Sequence, residues 1–132
     1  MKKNKKALKK TEGVKKILLF GFEDLRMILA MEAAARSFGA ETAAVPRNCW
    51  GQTLGELAEK GPRPGAGTAG DAAGQMLVLC GLDGELDALL PALRAAGAGC
   101  VKAVLTERNR SWTAARLYRE LQRERQALEG GR

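Results

Sequence analysis

Ile17-Leu-Leu-Phe-Gly21-Phe-Glu-Asp24 and Met76-Leu-Val-Leu-Cys-Gly81-Leu-Asp83 are the two stretches that decide the fold. Each is a short apolar run closed by Gly and then by acid. Neither run alternates, so each reads as a central strand covered on both faces. The segments after the two runs also recur: a helix pattern, a short strand, then an Asn/Trp motif. The first motif is Arg47-Asn48-Cys49-Trp50 and the second is Arg108-Asn109-Arg110-Ser111-Trp112. Gly21 and Gly81 are 60 apart, Asn48 and Asn109 are 61 apart, and Trp50 and Trp112 are 62 apart. Gly55-Glu56-Leu57 is echoed by Arg119-Glu120-Leu121. The chain therefore reads as two β-α-β-α repeats, 15–60 and 75–128, within a single domain over 14–128.

Within each repeat the local signals are clear. The first strand covers 14–22. Glu23 and Asp24 open a helix that reaches Phe38 and stops at Gly39, as acids in a first turn and Gly after a last turn predict. A short strand at 42–45 is closed by Pro46, and 52–60 forms a short helix. Residues 61–74 are a flexible Gly/Ala/Pro linker between the repeats. The third strand covers 75–81. Leu86, Leu89, Leu90 and Leu93 fall on one helical stripe. Pro91 interrupts it and predicts a kink or restart near residue 90. The fourth strand covers 101–105, with Lys102 marking a sheet edge. The last helix covers 112–128, with Leu117, Tyr118 and Leu121 inward.

Alternating strands and helices predict an α/β fold. The favoured arrangement is one four-stranded, mainly parallel sheet with strands one and three central and helices on both faces. The alternative is a ferredoxin-like antiparallel sheet, which two β-α-β units also build. The extra helix in each half favours the first.

The net charge of +7 is unevenly spread. Residues 1–16 hold eight Lys and one Glu, and residues 108–132 hold seven Arg and three Glu, so 17–107 sum to −4. Residues 1–13 read as a disordered lysine-rich tail. Three well-separated Cys and no His point to free thiols in a reducing, cytoplasmic compartment. They also leave no His-based triad or metal site, and no cofactor is expected. No stretch is long and apolar enough to span a bilayer, and no membrane partner is expected.

In the second half stand Lys102-Ala-Val-Leu-Thr106, Asn109, Trp112-Thr113, Leu117 and Glu120-Leu121. With Leu19-Phe-Gly-Phe-Glu23 at the start, this resembles a bacterial family known as domain of unknown function 3783, over roughly residues 15–125. The resemblance implies a small cytoplasmic bacterial α/β protein and implies no activity.

Ligands of open α/β sheets sit beyond the carboxyl ends of the strands. There the turns Gly21-Phe-Glu-Asp24 and Gly81-Leu-Asp-Gly84 carry no nucleotide-binding glycine pattern. Carboxylates hold the helix starts where a phosphate would dock. The Asn/Trp motifs allow two readings. In one, Asn or Ser caps the following helix and Trp packs its first turn, so Trp112 is largely buried. In the other, Asn48, Trp50, Thr106, Asn109, Arg110 and Trp112 line a site for an unknown small-molecule or protein partner. Lys2, Lys3, Lys5, Lys6, Lys9 and Lys10 could contact nucleic acid non-specifically by counterion release. No aromatic in the tail could stack on a base. The chain thus reads as a binding or regulatory domain without catalytic activity. The alternatives are a small enzyme using a polar crevice with Thr106, Asn109 and Ser111, and a nucleic-acid accessory protein.

Overall fold

The computed structural model describes residues 15–63, 65, 67 and 74–130. The lysine tail and most of the linker lie outside the described residues. The two apolar runs form the central strands β1 (Lys16–Phe20) and β3 (Met76–Cys80). The other strands are β2 (Glu41–Val45) and β4 (Val101–Val104), and the sheet order is β2-β1-β3-β4. Among the described residues four α-helices complete the fold: α1 (Leu25–Arg36), α2 (Leu54–Lys60), α3 (Leu86–Ala95) and α4 (Ala114–Gly130).

Each unit closes on its own neighbour. β1 pairs with β2 in parallel, β3 pairs with β4 in parallel, and the central β1–β3 pair is antiparallel. The sheet is therefore mixed and mostly parallel, and it lacks the all-antiparallel pairing of the ferredoxin-like alternative. Leu18 pairs with Val78, its own counterpart 60 positions on. Lys16 pairs with Glu41 and Met76 with Val101, which shifts both partners by the same 60. A local twofold thus passes between Leu18 and Val78, perpendicular to the sheet.

Such an axis keeps equivalent helices on one face, and the core shows this. Ile17, Leu19, Leu77 and Leu79 point to α1 and α3, where Met31, Ala35, Leu89 and Leu93 are buried. Leu18, Phe20, Met76, Val78 and Cys80 point to α2 and α4, against Leu54, Leu57, Ala114, Leu117 and Tyr118. Alternating side chains along a strand must serve opposite faces. With both faces covered, every position has to be apolar, which is why the runs do not alternate. Each fully buried Leu, Ile or Phe contributes about 1.5–3 kcal/mol.

Local signals hold with small shifts. The Asp24 carboxylate caps α1 by accepting from the Arg26 N–H at 2.9 Å. Gly39 has φ +74°, ending that helix region in the left-handed conformation. The predicted restart near residue 90 is not found. A 3-10 turn at Asp83–Glu85 precedes α3, which continues through Pro91. Pro91 is the sixth residue of α3, so its missing N–H removes only one early intrahelical bond. β4 is an edge strand, and the Lys102 ammonium folds back to donate to the Cys100 carbonyl at 3.0 Å.

Candidate functional site

The loops after β2 and β4 meet on the twofold. Thr53 and Thr113 form an antiparallel bridge there. Leu54 N–H donates to the Trp112 carbonyl (2.9 Å), and Ala114 N–H donates to the Gln52 carbonyl (3.1 Å). Gly55 N–H donates to the Arg110 carbonyl (2.9 Å), and Ala115 N–H to the Trp50 carbonyl (3.0 Å). These bonds are twofold mates at the same offset of 60. They satisfy N–H groups that a helix start normally leaves open. The Thr53 and Thr113 hydroxyls accept from the N–H groups of Glu56 and Arg116, at 3.2 and 3.1 Å. The caps are thus threonines, not the Asn or Ser of the sequence reading. The signal was present in Thr53-Leu-Gly-Glu56, the capping-box pattern.

This geometry corrects the pairing of the two Trp residues. The twofold equates Trp50 with Arg110 and Gln52 with Trp112. The repeated Asn and Trp letters are one and two positions out of structural register. Trp50 is fully buried, edge-on to Phe20 (centroids 5.3 Å apart) and to Tyr118 (5.7 Å). Trp112, expected to be largely buried, is only half-buried, with the Arg116 guanidinium 4.1 Å over its ring. Gln52 takes the buried place instead. Its amide accepts from the Arg63 N–H at 2.7 Å and donates to the Gly61 carbonyl at 3.3 Å, tying the start of the linker to the body.

A cleft of about 520 Å³ opens at the carboxyl ends of β3 and β4. Gly81, Asp83 and Gly84 from the turn after β3 form one side, and Leu105, Thr106, Glu107 and Arg110 form the other. A shallower depression beside it carries Thr53, Glu56, Glu59, Lys60 and Ser111, and Arg110 belongs to both. The Arg110 guanidinium is paired with the Glu59 carboxylate at 2.6 Å. It also packs where a Cβ on Gly55 would meet it at 3.3 Å. The Asp83 and Glu107 carboxylates are exposed.

Of the six predicted residues, Thr106 and Arg110 line this cleft. Asn109 locks the loop that carries them. Its side-chain oxygen accepts from Thr106 N–H (2.9 Å), its N–H donates to the Thr106 hydroxyl (3.1 Å), and its amide nitrogen donates to the Val104 carbonyl (3.1 Å). Asn48 is exposed and accepts weakly from the Cys49 thiol at 3.5 Å. Trp50 belongs to the core, and Trp112 lies against Arg116. Sequence reasoning missed Glu107 and Glu59. It named the turn with Gly81 and Asp83 but tested it only as a nucleotide loop.

Cys80 ends β3 beneath this region. Burial pushes its thiol up to about 12, although the Lys16 and Arg110 charges pull the other way. Burial also raises the Cys100 thiol. Below pH 9 the folded and unfolded chains both keep the Cys80 proton. Above that the unfolded chain releases it, while the folded chain holds it until about 12. Stability should therefore fall as pH rises from 9 toward 12, by at most about 1.4 kcal/mol per pH unit from this group. Urea unfolding of wild type and Cys80→Ala across that range measures it. Parallel slopes for the two proteins would refute the assignment.

The fold and cleft define a class: an α/β domain of two symmetry-related β-α-β-α units with a polar crevice on the second. The family model described as Domain of unknown function (DUF3783) matches residues 75–128, which is that second unit from β3 into α4. The match contains every cleft wall and the Lys102–Thr106, Asn109 and Trp112-Thr113 residues that carry the resemblance. The similar opening at Leu19–Glu23 lies outside it. No curated protein and no solved structure matches the chain.

Proposed function

We propose that this chain is a non-catalytic binding or regulatory domain whose ligand or partner segment enters the cleft beyond β3 and β4. The observation that carries this is the cleft itself. Its volume of about 520 Å³ suits a small ligand, for which ~300–1,000 Å³ is typical. Its place beyond strand carboxyl ends is where open α/β sheets bind ligands. The Asp83 and Glu107 carboxylates at the rim favour a ligand that brings an ammonium group, such as an amino acid or a peptide N-terminus, while the Arg110 guanidinium on the wall is already paired with Glu59 at 2.6 Å. The enzyme alternative is less supported. Thr106 and Asn109 bond each other and the backbone, so their polar groups hold the loop in shape. Free thiols at Cys49, Cys80 and Cys100 fit the proposed cytoplasmic setting. The nucleic-acid reading rests on the lysine tail and is tested by retardation of a non-specific duplex at low salt.

The decisive measurement is a titration of amino acids and dipeptides into the full, isotope-labelled chain, read by amide NMR. A ligand at 100 times its Kd should add about 2.7 kcal/mol to stability. It should move the amides of Gly81, Gly84, Thr106 and Glu107. Asp83→Asn with Glu107→Gln should weaken it at least several-fold. A ligand that moves amides elsewhere and ignores both substitutions sinks this placement.

A further inference from the structure

We infer that the outer edge of β4 is a docking site for an extended segment of a partner protein, one that carries an acidic residue two positions from an apolar one. The segment joins the sheet as a fifth strand. This site is separate from the cleft and does not rest on it.

Three observations carry it. The first is the backbone. Val104 pairs with Leu79, and the Leu105 N–H donates to the Leu79 carbonyl at 2.9 Å. In that parallel register Val101, Ala103 and Leu105 turn their backbone groups to β3, and Lys102 and Val104 turn theirs outward. The Asn109 amide already meets this edge as a strand residue would. It donates to the Val104 carbonyl (3.1 Å) and accepts from the Thr106 N–H (2.9 Å). Beyond it, the Lys102 N–H, the Lys102 carbonyl and the Val104 N–H have no hydrogen-bond partner among the described residues. The second is an apolar recess of about 110 Å³ beside the edge, between Leu86 and Leu90 of α3 and Val104. Lys102 and Val104 pair with Leu77 and Leu79, whose side chains point to that helical layer. A residue added opposite Val104 therefore puts its side chain into the recess. The third is charge. Among the described residues the Lys102 ammonium meets no carboxylate, and it donates to the Cys100 carbonyl at 3.0 Å. A lysine on an edge usually guards it against stray strands; here it makes the edge selective for acid. The residue opposite Lys102 lies two positions from the one opposite Val104, whichever way the added strand runs. A second copy of this chain fits poorly. The antiparallel self-pairing of β4 that leaves the Asn109 bond in place sets Lys102 against its own copy, and like charges directly opposite destabilise a pair.

The test uses the full, isotope-labelled chain and a peptide containing Glu-Thr-Leu-Thr-Glu, acetylated and amidated at its ends. The two acids flank Leu, so either strand direction is served. Without peptide, the Lys102 and Val104 amides should exchange with solvent faster than those of Ala103 and Leu105, which bond β3. At millimolar peptide, exchange at Lys102 and Val104 should slow several-fold. Replacing the peptide's Leu by Ala, or both its Glu residues by Lys, should weaken binding several-fold. Lys102→Glu, a change on a half-exposed side chain, should invert the preference, so that the Lys peptide binds better than the Glu peptide. Unchanged exchange at both amides at millimolar peptide overturns the inference. So does equal binding of the Glu and Lys peptides, or a preference that Lys102→Glu leaves as it was. Protection at these amides that rises with protein concentration in the absence of peptide also overturns it, because the contact is then between copies. Acetylation removes the peptide's ammonium, so this result and ligand binding in the cleft can fail separately.

Discussion

Trp50→Ala should destabilise the domain by about 3–5 kcal/mol, the range for removing a large buried aromatic. Trp50 has no exposed surface, and it holds Phe20 of β1 and Tyr118 of α4 in edge contacts at 5.3 and 5.7 Å. It therefore joins the two units, and its loss opens a cavity on the twofold face. Its indole N–H is buried without a hydrogen-bond partner among the described residues. An orphan buried donor costs about 1–3 kcal/mol. Trp50→Phe removes that donor while keeping an aromatic body, so it should lose only about 1–2 kcal/mol. Trp112→Ala should also stay near 1–2 kcal/mol, because that ring is half-exposed. Urea unfolding of the three variants measures the order. Equal losses for Trp50→Ala and Trp112→Ala would restore the equivalence that the letters suggest and the backbone denies.

That contrast shows what was legible in the sequence. Strand and helix positions were readable because Ile17–Phe20 and Met76–Cys80 must be apolar at every position to lie between two helical layers. The repeat was readable because Gly21 and Gly81 share the offset that the strand pairing uses. The direction of the central pair was not readable. A parallel and an antiparallel contact between two non-alternating strands need the same residues. Without that direction, the twofold and the meeting of Thr53 with Thr113 could not be derived. The Asn and Trp echoes then misled by one and two positions. Backbone register fixes equivalence, whereas side-chain identity is free to drift around it. The cleft was half legible. The strand-end rule led to Gly81 and Asp83, but Glu107 and Glu59 come together with Arg110 only through the fold.

Gly21→Ala should cost about 3–4 kcal/mol, and two separable causes add to give this. Gly21 has φ +82°, where a Cβ costs roughly 1–2 kcal/mol. That Cβ would also stand 1.9 Å from the Gly74 carbonyl oxygen, a backbone atom that cannot swing aside. Gly39→Ala isolates the first cause, since Gly39 has φ +74° with nothing within 4 Å of an added Cβ. It should cost only about 1–2 kcal/mol. The difference between the two variants is the energy of the close approach. Relieving the clash must push Gly74 away, and Gly74 leads directly into β3. β3 is rigid, since all five of its residues are buried, and its far end turns at Gly81 into the cleft wall. Gly21→Ala should therefore shift the amides of Gly81 and Gly84 at the opposite end of the strand, while Gly39→Ala leaves them in place. If the two variants lose the same stability, the chain does not press on Gly21.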